Sequence, residues 1–102
     1  MLAITDLRIA RKLKRRLVKT TPINRLVVYG SRARGDATPE SDLDIYIEIT
    51  TLTPTLRRRI SEIAWEVSLD MGVVISTLVA SGSNPLSGQP INLAIENEGI
   101  VV

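Results

Sequence analysis

The sequence contains no cysteine and no histidine among its 102 residues. The chain therefore cannot form disulfides, use a thiol nucleophile, build a Cys/His zinc site or use imidazole as an acid or base. Any catalysis must depend on carboxylates, hydroxyls, Lys, Arg or a bound metal. Signal-peptide and membrane-spanning apolar runs are also missing. We expect a cytoplasmic protein with no membrane contact, built as a single domain over residues 1–102.

Positive charge is concentrated at one end of the chain. Residues 1–20 hold seven of the 13 Lys and Arg residues and one of the 11 Asp and Glu residues, so the remainder is net acidic. A basic end on an acidic domain is typical of contact with nucleic acid, a nucleotide or an acidic protein. A solvated helix face is an equally good interpretation of the same pattern.

Hydrophobic periodicity predicts an alternation of helices and strands. Helices are predicted over residues 3–19, 54–70 and 90–97, with a short one beginning at Ser31; strands are predicted over residues 26–29, 42–49 and 73–79. Loop composition marks residues 35–41 and 81–85, and Gly99 is the predicted C-cap of the last helix. Trp65 falls within a helical pattern and is expected to pack in the core or against another helix. This order predicts a small α/β or α+β domain, with a mixed sheet flanked by helices.

Two aspartates, Asp42 and Asp44, stand one residue apart at the start of an apolar run. Residues 42–49 alternate in polarity, so both carboxylates are predicted to project from one face of a strand, with Cα atoms roughly 6.5–7 Å apart. Carboxylates this close repel each other and are costly to bury unless a cation neutralises them. Asp42 and Asp44 are therefore candidate catalytic residues and candidate ligands of a hard divalent metal such as Mg²⁺.

A Gly-Ser pair, Gly30 and Ser31, precedes the aspartates by ten residues. Glycine after a strand lets the backbone approach a ligand closely, and a helix beginning at Ser31 would turn free N–H groups toward an anion. Arg32 and Arg34 add positive charge that suits phosphate. These four residues are the candidate nucleotide- and phosphate-binding residues.

The spacing of Gly-Ser, ten residues and Asp-x-Asp resembles a known family. Residues 29–35 and 41–44 are similar to the minimal nucleotidyltransferases of the DNA polymerase beta-like superfamily, in particular to the MNT proteins encoded beside HEPN-domain partners. The element order matches over nearly the whole chain, and the specific motif covers roughly residues 28–48. The resemblance implies a polymerase beta-like fold.

The resemblance also implies substrates, cofactors and residue roles. It implies ATP or another nucleoside triphosphate as donor and Mg²⁺ as cofactor, with Mn²⁺ as an alternative. Gly30 and Ser31 would hold the β- and γ-phosphates, while Asp42 and Asp44 would bind the metals. The family carries a third carboxylate on a later strand, and Ser76 stands about where that acid is expected.

Ser76 is a departure with chemical consequences. A serine can neither neutralise Mg²⁺ nor act as a base near neutral pH. Glu48 lies roughly 13 Å along the strand from Asp44. Asp70 falls at a helix end before the strand, so neither acid is a good substitute.

Three functions remain open from the sequence. The first is an MNT-type antitoxin that transfers AMP, or another NMP, to a hydroxyl of a HEPN-type partner protein. The second is a catalytically weak or inactive antitoxin that acts by complex formation, and the third is a nucleotide-binding subunit. We favour the first, with the acceptor presented by another chain or by a second copy of this one. Nucleic acid remains a less favoured partner.

Overall fold

The computed structural model describes residues 2–82 and 89–102. These residues form, in chain order, α1 (Ile4–Leu17), β1 (Arg25–Tyr29), α2 (Gly30–Arg34), β2 (Leu43–Ile49), α3 (Pro54–Met71), β3 (Ile75–Ser81), α4 (Pro90–Glu98) and β4 (Ile100–Val101). Within the described ranges, no helix combines the length and the apolar character that crossing a membrane requires.

The strands form one mixed sheet in the order β3-β2-β1-β4. β1 is antiparallel to both β2 and β4, whereas β2 and β3 are parallel. Parallel neighbours need a long crossover connection, and α3 supplies it here. The predicted mixed sheet flanked by helices is therefore confirmed.

Both faces of the sheet are covered, which explains the nearly continuous apolar run in β2. The larger core lies between the sheet, α1 and α3; its fully buried members include Leu13, Leu17, Ile45, Ile47, Ile60 and Val67. A smaller core on the opposite face joins Val27 and Tyr46 to Ile95 of α4. The aspartate-bearing side of β2 thus shares its face with the smaller core.

Local capping residues set the limits of α3, which lie within one residue of the predicted range 54–70. Thr53 is the N-cap and accepts a hydrogen bond from the Leu56 amide at 3.1 Å, and Pro54 occupies the first helical turn. Gly72 ends the helix with a φ of 71°, a left-handed conformation that favours glycine.

The predicted third strand, residues 73–79, is shifted by two positions in the structure. β3 begins at Ile75, whose amide donates to the Ser68 hydroxyl at 3.1 Å, and it continues to Ser81. Ser81 therefore belongs to β3 and not to the loop predicted at 81–85, and residues 83–85 of that loop lie outside the described residues.

Trp65 is not a core residue, so that prediction was wrong. Its side chain is 62% exposed, and Leu69 one turn later is 65% exposed. The buried stripe of α3 is centred on Ile60, Ala64 and Val67. Because successive helical residues are rotated by about 100°, Trp65 falls outside that stripe although it follows Ala64 directly.

The apolar tail at residues 100–102 forms a strand that the sequence did not predict. Val101 pairs with Val27 and Ile100 pairs with Val28, on the free edge of β1. Gly99 is the C-cap of α4 as predicted, although its backbone is extended rather than left-handed. Its lack of a side chain matters because the Ile95 carbonyl and the Val27 side chain pack against its Cα.

Candidate active site

The aspartates lie where the chain enters β2, beside the turn that joins β1 to α2. Asp42 is exposed and immediately precedes β2. Asp44 is the second residue of β2 and is partly buried. Tyr29, the last residue of β1, pairs with Asp44 across the antiparallel ladder. Paired residues project from the same face of a sheet, so Tyr29 and Asp44 share a face.

Gly30 and Asp44 are in direct contact. The Gly30 φ of 77° lies in the left-handed region, and any Cβ placed on its Cα would overlap the Asp44 carboxylate. Glycine is therefore required both for the turn out of β1 and for the approach of the carboxylate. The structure thus brings together the two halves of the motif, although ten residues separate them in the chain.

The electrostatics of Asp44 indicate an incompletely neutralised carboxylate. Burial raises its pKa, and the neighbouring charge of Asp42 raises that pKa further. The Arg34 guanidinium opposes both effects. The pKa of the Tyr29 hydroxyl is raised by burial and by the Asp44 charge. A bound cation would reduce the electrostatic repulsion that contributes to the raised pKa values of Asp44 and Tyr29.

Ser76 lies directly beside Asp44. The parallel register of β2 and β3 pairs these two residues, and the Ser76 side chain is exposed. The expected position of a third acid is thus adjacent to the aspartate pair and carries a hydroxyl.

Arg34 is placed at the edge of the site by two other elements. It donates to Asp36 at 3.2 Å and to Glu98 of α4 at 3.0 Å, and these bonds raise its pKa. Its positive charge also lowers the pKa of the Asp44 carboxyl. Arg34 is therefore positioned to meet an anion that approaches Asp44.

Arg32, a predicted phosphate-binding residue, makes internal contacts in the structure. Its guanidinium donates to Asp6 of α1 at 3.0 Å, to the Ser41 carbonyl at 2.7 and 2.9 Å, and to the Pro39 carbonyl at 3.3 Å. The Arg32 and Asp6 side chains are only 12% and 6% exposed. Because most of its N–H groups are used internally, Arg32 holds the loop that leads into Asp42.

Glu48 and Asp70, the two other acids considered as substitutes for the third acid, form ion pairs away from Asp44. Glu48 accepts a 2.7 Å hydrogen bond from the Tyr46 hydroxyl and pairs with Arg25. Asp70 pairs with Lys12 and Arg16 of α1, on the opposite side of the sheet from Asp44. Neither substitutes for the third acid.

The donor set fits a metal held by two carboxylates. Among residues 2–82 and 89–102, no cluster of three or more Asp or Glu residues gathers where an ion could bind. Mg²⁺ is commonly bound through one or two carboxylates, with water and substrate phosphates as its remaining ligands. Asp42 and Asp44 fit that arrangement, whereas a site of three carboxylates does not fit this chain.

Comparison with known proteins places this arrangement in a family. The family model of the nucleotidyltransferase domain matches residues 9–97, which is most of the chain. The chain belongs to this nucleotidyltransferase family. The predicted resemblance is therefore confirmed, and the Gly-Ser and Asp-x-Asp motifs lie within the matched region.

One relative of this nucleotidyltransferase domain is a protein from Methanocaldococcus jannaschii named for an inferred protein adenylyltransferase activity. The two are 37% identical over 59 residues, which cover 56% of this chain and 59% of the relative. The match therefore spans about three-fifths of that protein's length.

Two solved structures share the fold. One is a toxin-antitoxin crystal structure with AMP-PNP, with a TM-score of 0.62, 17% identity, and coverage of 88% of this chain and 69% of that one. The other is a mutant of the toxin-antitoxin MntA-HpeT in which two aspartates are replaced by glutamates. Its TM-score is 0.65 at 17% identity, with coverage of 94% of this chain and 70% of that one.

Sequence reasoning assigned no role to two residues that shape the site. Tyr29 stands inside the motif, but its pairing with Asp44 depends on the β1–β2 register. Asp6 is the only acid among the first 20 residues, and this was the one feature of the sequence that singled it out. Its partner, Arg32, is distant in sequence and becomes visible only in the folded chain.

Proposed function

We propose that this nucleotidyltransferase domain transfers AMP from ATP to a hydroxyl of a partner protein. The contact between Gly30 and the Asp44 carboxylate carries the proposal, because a turn suited to phosphate lies against an acid suited to a metal. The family match and the relative named for protein adenylylation support the same reaction class. Nucleotidyltransferases generally use a nucleoside triphosphate and a divalent metal.

The residues of this chain have distinct roles in the proposed reaction. Gly30 and Ser31 hold the β- and γ-phosphates at the beginning of α2, and Arg34 adds positive charge beside them. Asp42 and Asp44 hold Mg²⁺, which when bound would offset charge on the reacting phosphate. The acceptor hydroxyl loses its proton to water and its oxygen bonds to the α-phosphorus. The bond between the α-phosphorus and the α–β bridging oxygen breaks, and pyrophosphate leaves.

The partner proposed for this domain is a toxin protein of the HEPN class. The structural neighbours come from toxin-antitoxin assemblies, which supports a toxin as the partner. The sequence resemblance is the support for the HEPN class.

Label transfer tests the proposal. With Mg²⁺ and the partner present, ATP labelled at the α-phosphate should label the partner, and ATP labelled at the γ-phosphate should not. Asp44→Asn should reduce transfer at least about a hundredfold, because it removes a metal-binding charge. The matched control is Asp70→Asn, which changes an acid on the other side of the sheet and should leave transfer unchanged.

A second candidate function is neutralisation of the toxin by binding alone. The hydroxyl of Ser76 beside Asp44, in place of an acid, favours it. Under that function the α-label stays on ATP, and Asp44→Asn leaves toxin neutralisation intact. Those two results together would exclude the transferase proposal.

A further inference from the structure

One edge of the sheet is long and unprotected in the described part of the chain. β3 is the last strand in the order β3-β2-β1-β4, and it pairs with β2 over seven successive residues without a bulge. Natural edge strands usually carry a charge or a proline, or they are short or bulged. Residues 75–81 (Ile-Ser-Thr-Leu-Val-Ala-Ser) contain no charge and no proline.

The hydrogen bonds around β3 show which backbone groups face outward. The Val74 carbonyl accepts from the Leu43 amide, and the Gly82 amide donates to the Ile49 carbonyl, so even-numbered residues turn their backbone groups toward β2. Backbone direction alternates along a strand. The amides and carbonyls of Thr77 and Val79 therefore point away from the sheet.

Exposed apolar side chains flank this edge. Ser68 marks the side of α3 that faces β3, because its hydroxyl accepts a hydrogen bond from the Ile75 amide. Trp65 lies three residues before Ser68, so it is rotated by about 60° around the helix from the buried Ser68 and faces solvent. The exposed fraction is 62% for Trp65 and 60% for Val74, which precedes the strand. These two residues and the outer edge of β3 form what we call the β3 edge surface.

We propose that two copies of this chain associate through antiparallel pairing of their β3 strands. A two-fold axis at Leu78 would bring residues 75–81 of the two strands opposite each other, with Thr77 of each copy opposite Val79 of the other. The Ile75 amide would keep its hydrogen bond to Ser68. Because the strand is uncharged, self-pairing brings no like charges together. α3 packs beside β3, so strand pairing across the axis would bring the two α3 helices to roughly 10 Å, a normal packing distance. The Trp65 side chains would then be buried between them.

The dimer would have one continuous eight-stranded sheet. Its two Asp42/Asp44 sites would lie on the same face, because a two-fold axis perpendicular to a sheet preserves its faces. The docking of a separate partner protein on α1 or α4 would remain unobstructed by β3.

Mass and fluorescence measurements test the β3 edge surface. Sedimentation equilibrium should give twice the 11.2 kDa chain mass, with a dissociation constant below about 100 µM. Trp65 is the only tryptophan, so its emission should shift to shorter wavelength as concentration rises through the dimerisation range. A monomeric mass throughout that range would overturn the proposal and leave the edge to another polypeptide.

Two substitutions locate the interface. Thr77→Lys puts a charge on the paired edge, and Trp65→Glu puts one between the helices; each should raise the dissociation constant at least about tenfold. The controls are Val101→Lys on the opposite edge strand and Leu93→Glu on α4, both at positions 65% exposed. If circular dichroism shows that Thr77→Lys does not fold, the dissociation constant of the Trp65→Glu variant tests the interface. A dimer that neither folded variant weakens would overturn the proposed interface.

Discussion

Asp44 has three neighbours, which come from two segments of the chain. Gly30 lies against its carboxylate, Tyr29 pairs with it from β1, and Ser76 pairs with it from β3. Only the first two belong to the motif that the sequence displays. The effect of the third neighbour can be measured directly.

Replacing Ser76 by Asp should create a third carboxylate beside Asp44. In the absence of metal the added negative charge should lower the melting temperature, because like charges on paired strand residues repel. Mg²⁺ affinity should rise at least about tenfold, since metal affinity depends on the charge of its ligands. Isothermal titration with Mg²⁺ and thermal melts provide the measurements.

Ser81→Asp is the matched control for that change, because it adds the same charge at the exposed far end of β3. If both variants bind Mg²⁺ equally well, Ser76 does not occupy the position of a metal ligand.

Arg32 and Asp6 should behave as one unit in mutational experiments. Arg32→Lys and Asp6→Asn should each destabilise the fold by about 2–4 kcal/mol, because each leaves a buried group incompletely paired. The double variant should cost about as much as the larger single change rather than the sum. Denaturant unfolding of the three variants gives these values. An Arg32→Lys variant with a raised KM for ATP and unchanged stability would support the phosphate contact instead.

At the level of secondary structure, α1 carries two kinds of basic residue. Lys12 and Arg16 pair with Asp70 and Glu66 of α3, so part of the positive charge joins the two helices. An exposed stripe at helical spacing remains on the other side; it comprises Ile4, Arg8, Arg11, Arg15 and Val18. The structure therefore separates the bridging residues from those available to a partner.

Reversing the charge of Arg11 and Arg15 to Glu should weaken toxin binding by about tenfold or more at low salt. The difference from the native chain should shrink as salt rises, because screening weakens exposed charge interactions. Surface plasmon resonance at several ionic strengths gives both values. Arg57 and Arg58 are exposed on α3, and their reversal is the control with the same charge change. Equal affinity of the native chain and the Arg11/Arg15 variant at every salt concentration would rule out docking on α1.

The elements differ in how far the sequence determines them. Thr53, Pro54 and Gly72 act on backbone within a few residues, so the limits of α3 follow from local chemistry. β4 escaped prediction because two apolar residues become a strand only when β1 offers them a free edge. The shift of β3 has a similar origin, since Ser68 of α3 binds the first amide of that strand.

At the scale of the whole molecule, the charge at Asp44 couples stability to pH and metal. A carboxyl whose pKa is raised on folding binds protons more tightly in the folded state, so its contribution to stability falls as pH rises from the unfolded value through the folded one. Above that window the charge is destabilising.

Asp44→Asn should therefore melt at or slightly above the native temperature at pH 7 without metal. Mg²⁺ and a non-hydrolysable ATP analogue at ten times their dissociation constant should stabilise the native chain by about 1.4 kcal/mol, which is several degrees for a domain of this size. The variant should show a much smaller shift. Differential scanning calorimetry measures both, and equal shifts would mean that the nucleotide binds without Asp44.

By itself the sequence determined the reaction class, the Gly-Ser turn, the aspartate pair and the order of the elements before β4. These depend on residue type, short spacings and periodicity, which are properties of neighbouring residues. Tertiary structure decided that Arg32 binds Asp6, that Trp65 faces solvent, and that Ser76 lies beside Asp44. Periodicity shows which side chains share a face of an element, but only strand register and helix packing determine what lies opposite that face.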